Sequence, residues 1–237
     1  MAAGLHIQQP PSGYRFSIDA LILAWHLAPE PGDRVVDIGT GCGVIALILA
    51  SRWPGIQITG IEIQEELAAL AADNAERNGL SERIRILRQD LRDVSALQAG
   101  PADRIVCNPP HTARASGRIN PKWQLALARH EIAMTAADLL AASSRLLKPG
   151  GRLLTIYPAA RRNELLEFSR DFMFAPRKER MLHFKPEQPA DRFLLEVQKQ
   201  PAKEQCESVQ PLFLQDCYGS YTREARDILD FAGVKAL

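Results

Sequence analysis

The sequence predicts an α/β protein: a doubly wound, mostly parallel sheet flanked by helices. Two observations carry this. Between residues 34 and 157, short apolar strands alternate with helical stretches, the pattern that parallel strands joined by crossover helices produce. The run Asp37-Ile38-Gly39-Thr40-Gly41-Cys42-Gly43 stands between the first of these strands and its helix. Glycines there let the backbone turn tightly and approach a ligand without a Cβ in the way. The 237 residues suit one domain, with residues 1–30 as a helical cover, 31–199 as the core and 200–237 as a C-terminal extension.

Each element has its own warrant. Ile18, Leu21, Ile22 and Trp25 recur at helical spacing behind Ser17, a good N-cap, predicting a helix over 17–28 that Pro29–Asp33 breaks. Residues 34–38 form the first core strand and 44–52 the helix behind the glycines. Strand 57–61 follows, then an alanine-rich helix over 65–78 stopped by Gly79, a suitable C′ residue. Strands are expected at 84–87 and 104–107, and a long helix over 124–147 ended by Lys148-Pro149-Gly150-Gly151. A fifth strand spans 152–157. Beyond Pro158 the pattern predicts a helix at 163–170, strands at 178–184 and 192–199, a polar loop over 200–210 and a closing helix at 221–231.

Composition narrows the function class. The formal net charge of +1 gives no global attraction to nucleic acid, so a polyanion must be met by a local patch. Cys42, Cys107, Cys206 and Cys217 form no CxxC pair and no His/Cys cluster of zinc spacing. They read as buried or partly buried thiols of a reducing compartment. The amino terminus has no basic segment followed by an apolar core, and no apolar run is long enough to span a bilayer. A cytoplasmic protein with no membrane association and no metal is expected. The oligomeric state stays open.

The glycine run separates two cofactor classes. A dinucleotide fingerprint wants G-x-G-x-x-G, which would put the third glycine at position 44, occupied by Val44; it falls instead at Gly43, with an acid at Asp37. This D-x-G-x-G-x-G resembles the signature of class I S-adenosylmethionine-dependent methyltransferases. The resemblance implies their Rossmann-like fold, S-adenosylmethionine as cofactor, and a cofactor loop made by Asp37, Gly39, Gly41 and Gly43. Glu62 closes the second strand, where an acid takes ribose hydroxyls, a placement shared with dinucleotide folds. Asp90 resembles the residue that binds the adenine amino group in this family.

Downstream, Asn108-Pro109-Pro110-His111 follows the fourth core strand. It resembles the (N/D)PP(Y/F/W) corner of amino-methyltransferases, which act on adenine N6, cytosine N4, guanine N2 or glutamine nitrogen. The chemistry accounts for the residues. An exocyclic amine is a poor nucleophile because its lone pair is delocalised. The Asn108 side-chain oxygen and the Pro109 carbonyl would accept its two N–H groups, favouring a pyramidal nitrogen aimed at the sulfonium methyl. Proline rings hold those acceptors rigid. The usual aromatic fourth residue is here His111, an imidazole that stacks on a base when neutral and titrates near about 6.5.

The stretch from Gln9 to Ala20, with Pro10-Pro11-Ser12-Gly13-Tyr14-Arg15-Phe16 within it, is similar to the segment preceding the core in bacterial valine-tRNA adenine-N6 methyltransferases, as is Ala128-Arg129-His130-Glu131. The resemblance implies that Phe16 and Asp19 close over cofactor or target base, with a helix start packing on the sheet as the other reading. His130 and Glu131 also suit a plain helix-surface pair. Arg114, Arg118 and Lys122 follow the corner with no intervening acid, as expected for phosphate contacts. Arg161, Arg162, Arg177, Lys178 and Arg180 would extend that surface. The implied partner is RNA, above all tRNA, with its target base flipped. Protein glutamine and guanine N2 are the alternative substrates, and a non-catalytic S-adenosylmethionine-binding module is the alternative class. A short segment ahead of the loop strand argues against the glutamine enzymes, which carry an extra N-terminal domain.

Overall fold

The computed structural model describes residues 4–10, 15–109, 134–200 and 206–236. Its strands are β1 (Leu5–Ile7), β2 (Arg34–Ile38), β3 (Gln57–Glu62), β4 (Ile84–Arg88), β5 (Ala102–Cys107), β6 (Leu147–Pro158), β7 (Phe174–His183), β8 (Arg192–Lys199), β9 (Glu207–Phe213) and β10 (Val234–Ala236). Its helices are α1 (Ile18–Leu27), α2 (Val44–Arg52), α3 (Glu65–Arg77), the single turn α4 (Ala96–Ala99), α5 (Ala136–Leu146), α6 (Arg162–Asp171) and α7 (Arg223–Ala232). The main sheet runs β4-β3-β2-β5-β6-β8-β7-β9. Pairing is parallel from β4 to β6, β8 is antiparallel to both neighbours, and β9 runs parallel to β7.

Period-two alternation builds a core on each face of this sheet. Val35, Ile58, Val106 and Leu154 face one way, against α1, α2 and α7 through residues such as Ile22, Leu47 and Ile228. Val36, Ile61, Ile105, Leu153 and Phe193 face the other, against Leu139, Leu146 and Leu165 of α5 and α6. The strand order reverses at β2 and β5, and ligands of such sheets bind in the crevice beyond the carboxyl ends at that point.

Ser17 caps α1 as expected, its side chain accepting from the Asp19 N–H, and Gly79 adopts a left-handed conformation behind α3. Four expectations need correction. The helix foreseen over 124–147 is interrupted: Thr135 has extended backbone and caps α5 through a reciprocal box with Asp138, while residues 124–133 lie outside the described part. Residues 148–151, expected to be a helix stop, belong to β6. The polar stretch read as loop supplies the start of β9, an edge strand whose exposed residues hid its pattern. β1 and β10, three residues each, pair in parallel and were not foreseen, because so short a strand is specified only by its partner. Of the cysteines, Cys42 and Cys107 are buried, whereas Cys206 and Cys217 are exposed.

Candidate functional site

The parallel register puts the sequence motifs in one row. Ile38 pairs with Ile61 on one side and with Cys107 on the other. The next residues along the three strands are Gly39, Glu62 and Asn108. Glu62 and Asn108 therefore flank the cofactor loop across two strand spacings, about 10 Å.

The loop is held from beneath and from both sides. Gly39, Gly41 and Gly43 have φ of 69°, 59° and 85°, values that L side chains rarely adopt. The N–H groups of Gly39 and Thr40 donate to the Ile61 carbonyl (2.9 and 3.1 Å), and that of Gly43 to Thr40 (2.9 Å). Asp37 is fully buried, and its Oδ2 accepts the Thr40 hydroxyl at 2.6 Å. Burial pushes its carboxyl up to about 7 and Glu62 adds repulsion, while the Thr40 hydroxyl and the Ala46 backbone pull the other way. Its Oδ1 has no partner among the described residues. Burial also raises the Cys42 thiol to about 11 and holds Cys107 well above its ordinary range, so both stay protonated.

Glu62 is buried, and its two oxygens accept backbone N–H groups: Oε2 from Gly41 at 3.0 Å and Oε1 from Gln64 at 2.9 Å. A carboxylate offers about four lone-pair directions, so Glu62 shapes the loop and keeps acceptor capacity for a hydroxylated ligand. Asp90 is differently employed. Its carboxylate accepts the Arg92 Nε (3.0 and 3.1 Å), the Arg92 guanidinium terminus and the Arg92 backbone N–H (2.9 Å). The guanidinium hydrogen bond holds its carboxyl below the usual range. Arg92 thus competes for the acceptors that the sequence assigned to a ligand.

Asn108 is the first residue past β5, and its side-chain Oδ1 is buried with no hydrogen-bond partner among the described residues. An unpaired buried amide oxygen costs about 1–3 kcal/mol, which makes it an acceptor held ready for a donor. Pro109 is buried beside it. Pro110, His111, Arg114, Arg118 and Lys122 lie outside the described residues, as do His130 and Glu131.

Of the N-terminal residues, Phe16 is half-buried and packs on the core face of α1 and α2. Asp19 is buried and committed: it accepts the Ser17 hydroxyl at 3.0 Å and pairs with Arg192 at the start of β8. It anchors α1 to the sheet. Four of the five cations of the expected extension are likewise paired with carboxylates. Arg161 pairs with Glu164, Arg162 with Glu179 and Lys178 with Glu207, while Arg180 is buried against Glu224. These pairs engage the cations within the molecule, while Arg161, Arg162 and Lys178 stay partly exposed.

Similarity to known proteins sharpens the geometry. The family model for the methyltransferase small domain matches residues 12–169. The chain belongs to that family. A tRNA1(Val) (adenine(37)-N6)-methyltransferase of Aeromonas hydrophila is 33% identical over 168 residues, covering 70% of this chain and 69% of the relative. Its counterpart in Serratia proteamaculans is 34% identical over 218 residues, covering 88% of this chain and 79% of the relative. Among solved structures, a predicted O-methyltransferase from Agrobacterium tumefaciens superposes with a TM-score of 0.72 at 20% identity, covering 92% of this chain and 99% of that one. That likeness speaks for the fold. The protein is a methyltransferase, and S-adenosylmethionine is its cofactor.

The residues present fit that cofactor. The loop offers backbone at left-handed φ, Glu62 offers spare carboxylate acceptors, and the Asn108 oxygen, without a partner among the described residues, stands on the far side of the loop. Three contributors escaped the sequence reading. Thr40 supplies the hydroxyl on Asp37. Gly60 makes room for it, since a Cβ there would come within 2.9 Å of the Thr40 methyl. Asn74 donates to the Cys42 carbonyl at 2.9 Å. Two carried a signal: a glycine inside a strand marks a close approach, and Asn74 is a polar residue between Ala71 and Ala75 on the buried stripe of α3.

Proposed function

We propose that this methyltransferase transfers a methyl group to the exocyclic N6 of an adenine in tRNA. The observation that carries the reading is the buried Asn108 Oδ1, without a hydrogen-bond partner among the described residues, at the switch point of the sheet and one strand from the glycine loop. The activity printed in the names of the Aeromonas and Serratia relatives agrees with it. When bound, S-adenosylmethionine supplies a methyl group on a positively charged sulfur. Glu62 accepts hydrogen bonds from the cofactor's ribose, and Gly39, Gly41 and Gly43 let it lie against the backbone. Asp37 acts from below, through Thr40, by fixing the loop's shape. Asp90, once freed from Arg92, receives the adenine amino group of the cofactor.

At the reacting end, Asn108 Oδ1 accepts one N–H of the target amine and the Pro109 carbonyl accepts the other. This turns the nitrogen lone pair toward the methyl carbon. Pro110 stiffens the corner and His111, neutral, stacks on the target base. Positioning and preorganised acceptors supply the rate. Phe16 borders the bound base, and Arg114, Arg118 and Lys122 contact RNA phosphates. The whole chain works as one methyltransferase domain, with residues 1–30 as cover and 200–237 as extension, in the cytoplasm and without a metal.

Incubation with radiolabelled S-adenosylmethionine and either unmodified tRNA or release factor, followed by digestion, tests this. Label in N6-methyladenosine from tRNA is expected. Label confined to protein glutamine or to 2-methylguanosine would overturn the assignment.

A further inference from the structure

The carboxamide of Asn74 sits at a junction. It is fully buried on α3, and every polar atom it has is used. Its Oδ1 accepts the Gln8 N–H at 2.9 Å, and its Nδ2 donates to the carbonyls of Gln8 and of Cys42, both at 2.9 Å. With two carbonyls on one side and an N–H on the other, only one orientation of the amide satisfies the site. One turn later Asn78 repeats half of the pattern. It accepts the His6 N–H at 3.0 Å and donates to the His6 carbonyl at 2.8 Å. Two asparagines four residues apart thus present α3 to residues 6–8 as if it were the edge of a neighbouring strand. Only Asn74 of the two also reaches the cofactor loop.

The connection continues beyond Gln8. The side-chain oxygen of Gln9 accepts the Phe16 N–H at 3.3 Å. A chain of hydrogen bonds and one covalent step therefore leads from the Cys42 carbonyl, through Asn74 and residues 8–9, to Phe16. One turn earlier on the same face of α3, Ala71 packs against Gly43, where a Cβ would lie 3.3 Å from the Ala71 methyl. Helix and loop are thus packed and hydrogen-bonded at adjacent residues.

We propose that Asn74 is a positioning residue that couples the cofactor loop to the N-terminal segment, so that a bound cofactor seats the stretch carrying Phe16 and a loosened stretch weakens cofactor binding. Only the consequence for substrate rests on the reading of Phe16 as bordering the target base. The coupling itself does not depend on what the substrate is. Linkage makes it reciprocal: what the segment contributes to cofactor affinity, the cofactor returns as protection of the segment.

The test uses the full chain and S-adenosylhomocysteine as the probe, with no RNA, so a wrong substrate assignment leaves it untouched. Asn74→Asp keeps the shape and the acceptor for Gln8 but replaces both N–H donors with lone pairs aimed at carbonyls. Asn78→Asp does the same to the carbonyls of His6 and Asn74, neither of which belongs to the cofactor loop. Calorimetric titration is expected to show affinity reduced roughly tenfold or more in the first variant and within about twofold of wild type in the second. Equal losses in the two would overturn the proposal by making Asn74 an ordinary packing residue. Should Asn74→Asp fail to fold, hydrogen exchange on the wild-type protein decides. Saturating S-adenosylhomocysteine is expected to slow the Gln8 and Phe16 amides along with Gly41. Slowing confined to Gly41 would overturn the coupling.

Discussion

The polar side chains around the cofactor loop and those that fasten the outer helices to the far half of the sheet are used differently. From β4 to β5, the side chains that shape the site bond to backbone: Glu62 to Gly41 and Gln64, Asn74 to Gln8 and Cys42, with Thr40 on Asp37 below. From β6 to β9, the polar side chains pair with one another. Arg152 meets Glu196, Arg162 meets Glu179, Arg192 meets Asp19, and Arg180 joins Glu224, the Gln210 carbonyl and His26. The first arrangement fixes a backbone shape that a ligand can read. The second fastens α1 and α7 to strands that carry no part of the loop. Substitutions in the two halves should therefore separate cofactor affinity from global stability.

The largest separation is expected at Glu62. Glu62→Ala removes the anchor of Gly41 and the acceptor for ribose together. Two charge-assisted hydrogen bonds are worth about 1.5–3 kcal/mol each, so S-adenosylmethionine affinity should fall by roughly two orders of magnitude or more. Isothermal titration reads this directly. Retention of wild-type affinity would remove Glu62 from the cofactor site.

Glu224→Ala should do the reverse. It leaves the buried Arg180 guanidinium with the Gln210 carbonyl and the neutral ring of His26, whose Nδ1 faces the Ile22 carbonyl. Losing one partner of a buried pair costs about 3–5 kcal/mol, and the 40% exposure of the Glu224 side chain brings the expectation to about 2–3 kcal/mol. Urea unfolding should show that loss with cofactor affinity unchanged; a matching drop in affinity would join the two halves.

A pH dependence separates them further. The unfolded Asp37 carboxyl ionises near 3.8, whereas in the folded chain burial holds its proton until about 7. Between those values the folded state binds more protons, so the Asp37 contribution falls as pH rises through that window. In Asp37→Asn, that part of the slope should vanish, as comparison of urea midpoints at about pH 5 and about pH 8 would reveal. An unaltered slope would mean that Asp37 is ionised in the folded protein.

The smallest effect belongs to the exposed pair of Arg161 and Glu164. Arg161→Ala should cost at most about 0.5 kcal/mol and leave tRNA affinity, measured by filter binding, within about twofold of wild type. A larger loss of binding, steep in salt, would restore Arg161 to a phosphate surface.

How legible this was in the sequence follows the same divide. The parallel half announced itself. β2 carries Val35, Val36 and Ile38 and β5 carries Ile105, Val106 and Cys107, apolar on both faces because helices cover both, and the glycine spacing is set by backbone geometry alone. Asn108 was legible as a motif, though its unpaired oxygen was not. What escaped depends on contacts between distant segments. β9 is polar because it is an edge, and β1 exists only against β10 and the two asparagines of α3. The carboxylate partners of the cations after residue 160 were not legible, because sequence shows charges without their partners, and each paired carboxylate lies on a neighbouring element or a nearby turn.

The most direct test of the central claim concerns the Asn108 oxygen. Asn108→Ala deletes the acceptor and leaves the glycine loop and Glu62 in place. With tRNA and saturating S-adenosylmethionine, kcat for N6-methyladenosine formation should fall by roughly 10²–10³, while the cofactor Kd stays at the wild-type value. Turnover close to wild type would contradict the account.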